Sequence, residues 1–371
     1  MTIGIDARVL DRGMTGTGRY LKNLLDEIPR SDTKNKYILF TCSDLDVDTS
    51  FYKIVKYKQS RIPSKIYSQI WLNIILPKLL QQYEADILFS PNILIPRRSL
   101  GKIKTISVLH DAMPWIYKEY YPFFYKIYLS LLVPKSLRDS DRVITVSEHS
   151  KNDIVEHLKI PEDKIRVVYN TASKNFRELD DLASSIPKGI EVKTLPDKYL
   201  LYVGAIEKRK NILGLIEIVE RLRKKGSNLK LILVGKKGFD SQNIMPEING
   251  RKDIIQYFGF ISDESLVYLY NSAFAFLFPS FYEGFGIPPL EAMKCGVPVL
   301  TSNTSSLPEV VGNAGILHDP SNINGFVEDI LKLEKDEQLY ASMKKKSIDQ
   351  SDKFNIEDVT RSLINVFNEF N

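Results

Sequence analysis

Two cysteines, two tryptophans and four histidines are all that 371 residues contain of those types. Cys42 and Cys295 stand far apart with no CxxC around either. That spacing argues against a zinc ribbon or a disulfide framework, and it fits a reducing, cytoplasmic setting. No run approaches the roughly 20 apolar residues of a membrane-spanning helix; the most apolar stretches, 127–133 and 273–278, are far shorter. The opening residues Met1-Thr2-Ile3-Gly4-Ile5-Asp6 carry neither a basic segment nor a long apolar one, so no signal peptide is expected. With 43% hydrophobic and 26% charged residues, the chain has the composition of packed soluble domains. Disorder, collagen-like repeats and a small disulfide scaffold are excluded. The length predicts two domains.

The net charge of +5 is unevenly spread. Between Phe51 and Ser140 stand fourteen Lys/Arg against five Asp/Glu, a net +9, which leaves −4 for the remainder. The same segment holds Trp71, Trp115, Tyr117, Tyr120, Tyr121, Phe123, Phe124, Tyr125 and Tyr128. Basic side chains interleaved with aromatics suit an anionic partner such as a lipid headgroup layer. They suit equally a solvated basic face over an aromatic core.

Short β-branched runs alternate with helical stripes along the chain. Strands are expected at 3–7, 37–41, 87–90, 105–109, 143–146 and 166–169, and again at 199–203, 229–234, 254–258, 274–278 and 297–301. Helical stripes lie between them, as at Tyr20, Leu21, Leu24, Leu25 and Ile28. This alternation, twice over, predicts two α/β domains, each doubly wound around a parallel sheet. Residues 175–197 mix charges with Ser184-Ser185, Pro187 and Pro196 and read as a linker. A closing helix is expected after Asn355, with Ile356, Val359, Leu363, Val366 and Phe370 on one face. Ligands of doubly wound sheets sit beyond the carboxyl ends of the strands, so motifs at those ends carry the most weight.

Four motifs lie there. Gly13-Met14-Thr15-Gly16-Thr17-Gly18-Arg19-Tyr20 follows the first strand. It is neither a dinucleotide fingerprint nor a P-loop, and it reads either as a flexible turn or as a backbone cradle for an anion. Val108-Leu109-His110-Asp111 ends a strand on a histidine, which can hydrogen-bond a substrate hydroxyl or serve structurally. His149, His157 and His318 lack that setting and read as structural. In Val203-Gly204-Ala205-Ile206-Glu207-Lys208-Arg209-Lys210-Asn211, three cations are expected at the start of the next helix, where the macrodipole opposes them. A bound diphosphate resolves that conflict, with Arg gripping two oxygens and Lys acting as a point charge. The fourth motif runs Phe278-Pro279-Ser280-Phe281-Tyr282-Glu283-Gly284-Phe285-Gly286-Ile287-Pro288-Pro289-Leu290-Glu291. Here a glycine loop leads into a helix that opens on two prolines. Glu283 is expected free in the loop and Glu291 in the first helical turn. Paired carboxylates, with the backbone amides of Gly284, Phe285, Gly286 and Ile287 expected to face the same space, would describe a site for a phosphorylated polyol.

The frame from Glu283 to Val299, EGFGIPPLEAMKCGVPV, resembles the signature of retaining glycosyltransferase family 4. The other motifs agree in order, and Thr301-Ser302-Asn303-Thr304-Ser305-Ser306-Leu307-Pro308-Glu309-Val310-Val311-Gly312 is similar to members that use GDP-mannose or related donors. The resemblance implies the GT-B fold, two Rossmann-like domains facing a central cleft. An acceptor domain would span 1–180, a nucleotide-sugar domain 181–354, and a helix 355–371 would return to the first domain. By the same resemblance, Arg209 and Lys210 neutralise the departing diphosphate, Glu283 holds donor-sugar hydroxyls and Glu291 the ribose. Gly16, Thr17 and Gly18 line the phosphates, and His110 touches the transferred sugar. Ala205 stands where many members carry arginine, which shifts the second cationic contact to Arg209.

The expected activity is retaining transfer of a hexose, mannose from GDP-mannose, to a growing glycan or lipid diphosphate-linked oligosaccharide of surface polysaccharide. The alternative is a nucleotide-sugar epimerase or hydrolase of related fold. No cofactor and no metal are expected; Asp44, Asp46 and Asp48 read as solvated acids. The expected partners are a nucleotide sugar, a glycan acceptor and an anionic membrane surface on the cytoplasmic side, and nucleic acid is not among them.

Overall fold

Apolar runs with both faces covered become the central strands of two parallel sheets. A computed structural model describes residues 1–12, 16–57, 64–97, 100–118, 123–188 and 194–371. Gly13, Met14 and Thr15 of the first motif lie outside the described residues, as do Lys58, Arg61, Arg98, Glu119, Tyr120 and Tyr121 of the basic segment. So do the side chains of Lys65, Phe123, Phe124, Tyr125, Lys126 and Tyr128. The chain divides into two compact units, Met1–Thr171 with Ile356–Asn371, and Ala172–Asn355.

The first unit holds β1 (Thr2–Asp6), β2 (Lys36–Thr41), β3 (Tyr52–Lys56), β4 (Ile87–Ser90), β5 (Lys104–Val108), β6 (Arg142–Thr145) and β7 (Ile165–Val167). Their order across the sheet is β3-β2-β1-β4-β5-β6-β7. Ile5 pairs with Leu39 on one side and Phe89 on the other, so the order reverses beside β1. The helix Gly16–Ser31 buries Tyr20, Leu21, Leu24, Leu25 and Ile28, the stripe its sequence showed. The closing helix Ile356–Asn368 packs in this unit, where Phe367 meets Tyr37 and Phe89. Phe370, expected on the buried stripe, is half-exposed instead, with Lys104 and Arg142 beside its ring. Glu369 then bridges Arg142 at 2.5 Å and Arg166 at 2.6 Å.

The second unit holds β8 (Tyr199–Val203), β9 (Lys230–Val234), β10 (Ile255–Gly259), β11 (Ala275–Phe278), β12 (Val299–Ser302) and β13 (Ile316–His318). The order is β10-β9-β8-β11-β12-β13. Leu201 pairs with Ile232 and Phe276, which puts the reversal between β8 and β11. At such a reversal the loops leaving two neighbouring strands part in opposite directions and open a crevice. The stretch read as a linker is docked at its start: Phe176 is buried against Tyr270, and Leu179 donates its N–H to Asn271 at 2.9 Å.

β3 and β13 were not expected. Both are edge strands: β3 carries Lys53 and Lys56 among its apolar residues, and β13 has three residues. Neither shows the continuous apolar run that marks a central strand.

Candidate donor site

β8 ends at Val203, and the chain then makes two ladder-like contacts with the end of β9 and the loop after it: Gly204 N–H to Val234 O at 2.9 Å, and Ile206 N–H to Lys236 O at 2.9 Å. Lys208–Lys210 form a 3-10 turn of their own rather than the start of the next helix. Asn211, with φ of 56°, separates the turn from the helix Ile212–Lys224 and caps it by accepting from Gly214 N–H. The three cations thus stand just ahead of the helix N-terminus rather than in its first turn, still on the side of its positive end.

Across the reversal, β11 ends at Phe278 and the glutamate loop begins. Gly286 caps the helix Ile287–Lys294 with φ of 118°, where a side chain would be strained. Glu291 lies in the second turn of that helix, not the first. It is buried, and the Tyr270 hydroxyl donates to its Oε2 at 3.0 Å. Glu283 is not free either. Lys210 Nζ donates to its Oε1 at 2.5 Å and Ser280 Oγ at 2.6 Å, while Arg209 Nη1 stands 3.3 Å away. Burial pushes the Glu283 carboxyl up, but Lys210 and Arg209 outweigh it and hold the group below the usual carboxylate range. Burial likewise lowers Lys210, and Arg209 adds to the lowering against the pull of Glu283. Lys210 also lies over the Phe278 ring at 5.1 Å.

The loop leaving β12 clamps the glutamate loop. Ser306 Oγ donates to the carbonyls of Glu283 at 2.9 Å and Phe285 at 2.6 Å, and the Glu283 N–H donates to Ser305 Oγ at 2.9 Å. Ser305 takes a φ of 52° to make that contact, a conformation unfavourable for serine and kept here by the surrounding bonds. The Phe281 N–H donates to the Arg209 carbonyl at 2.9 Å, which ties the two loops directly. Thus Arg209, Lys210 and Glu283 converge at the reversal, and Glu291 and the Gly284–Ile287 backbone follow on the same loop and helix. Ser280, Ser305 and Ser306 have no assigned role in the sequence motifs; their signal is hydroxyl side chains in the loops that leave β11 and β12.

His110 and residues Gly16, Thr17 and Gly18 belong to the first unit. The glycines open the helix Gly16–Ser31, and Tyr20 from the same helix packs edge-on to His110 with ring centroids 5.1 Å apart. His110 is half-buried, but its Nε2 is fully enclosed and meets no hydrogen-bond partner among the described residues. Burial pushes the imidazole down to about 4, so it is neutral at physiological pH. An ordinary histidine titrates near 6.5. Between those values the unfolded chain binds more protons than the fold. The stability of the neutral ring is therefore complete above about pH 6.5 and drains away toward pH 4. Urea midpoints are expected to rise with pH through that window, and less steeply in His110→Gln; equal slopes would remove burial of this ring as the cause. His318 and His149 pair with Asp329 and Asp153, structural placements for both.

Among the described residues no three His, Cys, Asp or Glu side chains gather as metal ligands, and no helix is long and apolar enough to cross a membrane. Asp44 and Asp46 of the acidic run lie near Lys56 and Lys22, and Asp48 accepts from Ser50.

Buried Lys210, half-buried Arg209 and two buried glutamates thus lie at the reversal of the second doubly wound sheet. Residues 14–173 match the family model Glycosyltransferase Family 4, and residues 188–350 match Glycosyl transferases group 1. The chain is 33% identical to the O-antigen chain mannosyltransferase B of Escherichia coli, over 78% of this chain and 75% of that one. It is 32% identical to the serotype-specific mannosyltransferase WbdA of Escherichia coli over 68% of this chain, and spans 32% of WbdA's length. Anabaena HepE, solved with UDP and glucose, superposes with a TM-score of 0.75 over 100% of both chains at 16% identity. The chain belongs to the group 1 and family 4 glycosyltransferases of GT-B fold.

Proposed function

We propose that this glycosyltransferase moves mannose from GDP-mannose, with retention, onto a growing glycan of surface polysaccharide. The observation that carries the donor site is the convergence of Arg209, Lys210 and Glu283 where the second sheet reverses. The sugar is argued from the relatives, an O-antigen chain mannosyltransferase and WbdA.

Negative charge builds on the diphosphate as the glycosidic bond breaks. Fixed, poorly hydrated cations stabilise that charge more than mobile water does. Lys210 and Arg209 take this role, so turnover does not need a divalent metal and survives EDTA. When the diphosphate engages Lys210, Glu283 is released to accept hydroxyls of the donor sugar, while Glu291 takes the ribose. The Gly284, Phe285, Gly286 and Ile287 backbone borders the same ligand. Glu283 is committed to the hydroxyls of the donor sugar in this reading, and no other carboxylate is assigned as a covalent nucleophile. Transfer therefore follows an oxocarbenium-like route on one face of the sugar, without a covalent intermediate. His110 acts as a neutral hydrogen-bonding group, and Gly16, Thr17 and Gly18 offer their backbone to the phosphates.

The acceptor belongs to the first unit in this reading, which carries the basic segment. Part of that charge is already engaged, as in Lys56 with Asp44 and Lys104 with Asp141. Ile74 and Leu131, 50% and 66% exposed, add apolar contact for a cytoplasmic membrane surface or a lipid diphosphate-linked acceptor. Liposome binding that ignores anionic lipid and salt would remove the membrane part of the reading.

The deciding experiment is a thermal-shift panel of GDP, UDP and dTDP, followed by transfer assays and NMR of the product. A GDP preference and an α-linked product from the α-donor are expected. A β-linked product would end the retaining assignment, and donor consumption without any acceptor would favour an epimerase or hydrolase.

A further inference from the structure

Glu207 is a charged residue of the cationic turn that the proposed chemistry leaves without a task. Its presence is a puzzle on electrostatic grounds, since a carboxylate beside a diphosphate site repels the ligand. The residue sits just ahead of the Lys208–Lys210 turn with extended backbone, φ −149° and ψ 157°. From there its side chain folds back, and Oε1 accepts from Arg209 Nη2 at 2.7 Å. The other arm of the guanidinium is held separately: Nη1 donates to the Tyr282 carbonyl and stands 3.3 Å from Glu283 Oε1. A planar fork gripped at both arms has neither its reach nor its plane free to vary. Arg209 and Glu207 expose only 15% and 22% of their side chains, so little water competes with the pair.

The seat of the carboxylate is also specific. Gly238, in the loop after β9, donates its N–H to the Ile206 carbonyl at 3.0 Å. A Cβ added at Gly238 would lie 3.0 Å from each of Glu207 Cβ, Glu207 Oε2 and the Ile206 carbonyl oxygen. The missing side chain leaves the notch that Glu207 fills.

We propose that Glu207 is the positioning residue of Arg209: seated against Gly238, its carboxylate holds the guanidinium at the mouth of the Lys210–Glu283 pair, from where Arg209 meets the donor diphosphate. The inference rests on the diphosphate reading of this turn. It separates position from charge. A simple counter-ion would weaken anion binding and do nothing else, whereas a positioner is needed for turnover although its charge is adverse.

The test compares Glu207→Gln, Glu207→Ala and Arg209→Ala for kcat, donor KM and affinity for the nucleoside diphosphate that gives the largest thermal shift. Glutamine keeps an oxygen at the Oε1 position without the charge, and alanine removes both. Glu207→Ala is expected to lower kcat about tenfold or more, in the direction of Arg209→Ala, while Glu207→Gln stays within about threefold of the parent. Equal losses in the Gln and Ala variants would overturn positioning in favour of charge. A parent-like Glu207→Ala beside an impaired Arg209→Ala would overturn it outright. A parent-like Arg209→Ala would instead fell the diphosphate reading of Arg209, and the inference with it. Melting temperatures close to the parent's confirm that each loss is not one of folding.

Discussion

Replacing Lys210 by alanine is expected to lower turnover by about 100-fold or more, the cost typical of removing one preorganised group that meets developing charge. The ammonium lies in a buried site, 8% exposed, between the Glu283 carboxylate and the Phe278 ring. Low exposure means that water cannot replace it when it is gone. Affinity for a nucleoside diphosphate should fall along with turnover, and affinity for the matching monophosphate should fall less, because the second phosphate is the one that loses its partner. The substitution also leaves Glu283 buried with Arg209 and Ser280 but without its shortest contact. Breaking one side of a buried pair costs about 3–5 kcal/mol, so a lower melting temperature accompanies the kinetic loss. Rates measured well below both melting points separate the two effects. Near-parental turnover under those conditions would refute the role given to Lys210.

How much of this was legible beforehand depends on what each residue answers to. Central strands such as β8 and β11 are apolar on both faces, a demand of burial alone, and their positions were readable to within a residue or so. β3 and β13 answer to neighbours more than to composition; three residues of β13 pair with β12 without any periodicity of their own. The motif residues Arg209, Lys210, Glu283 and Glu291 stood out because charges after a strand end are adverse without a purpose. Their contacts were not readable. That Glu283 accepts from Lys210 and Ser280 with Arg209 close by depends on β8 lying next to β11, and that adjacency brings Lys210 and Glu283, 73 residues apart, to hydrogen-bonding distance. The second-turn place of Glu291 follows from where Gly286 lets the helix begin. Glu207 was passed over for a related reason: in sequence it is one more charge in a charged turn, and only the fold shows it facing Arg209 and the notch at Gly238.

Glu283→Gln is expected to have the opposite signature to Lys210→Ala. Both lose turnover, here by about 100- to 1000-fold, because the group that holds the donor sugar loses its charge-assisted hydrogen bonds. Nucleotide affinity, however, should rise. In the resting site Glu283 neutralises Lys210 and lies against Arg209, so an arriving diphosphate competes with a carboxylate already in place. Glutamine removes the competitor and leaves the buried Lys210 ammonium without its counter-ion, with Arg209 still held by Glu207 beside it, so an anion is strongly favoured there. A nucleoside diphosphate without sugar should therefore bind about threefold or more tighter to the variant than to the parent, on a modest loss of like-charge repulsion. The pH dependence carries a second sign. Glu283 is what pulls the Lys210 pKa upward against burial and Arg209, so its loss lets the ammonium give up its proton more readily. The alkaline fall in nucleotide binding should then begin at lower pH in the variant. Isothermal titration of parent and variant with the same nucleoside diphosphate, repeated across the alkaline range, measures both. Weaker binding in Glu283→Gln, parallel to Lys210→Ala, would mean that the pair acts as one structural unit. In that event Glu283 does not hand Lys210 over to the diphosphate, and the exchange at the heart of the proposed donor site does not occur.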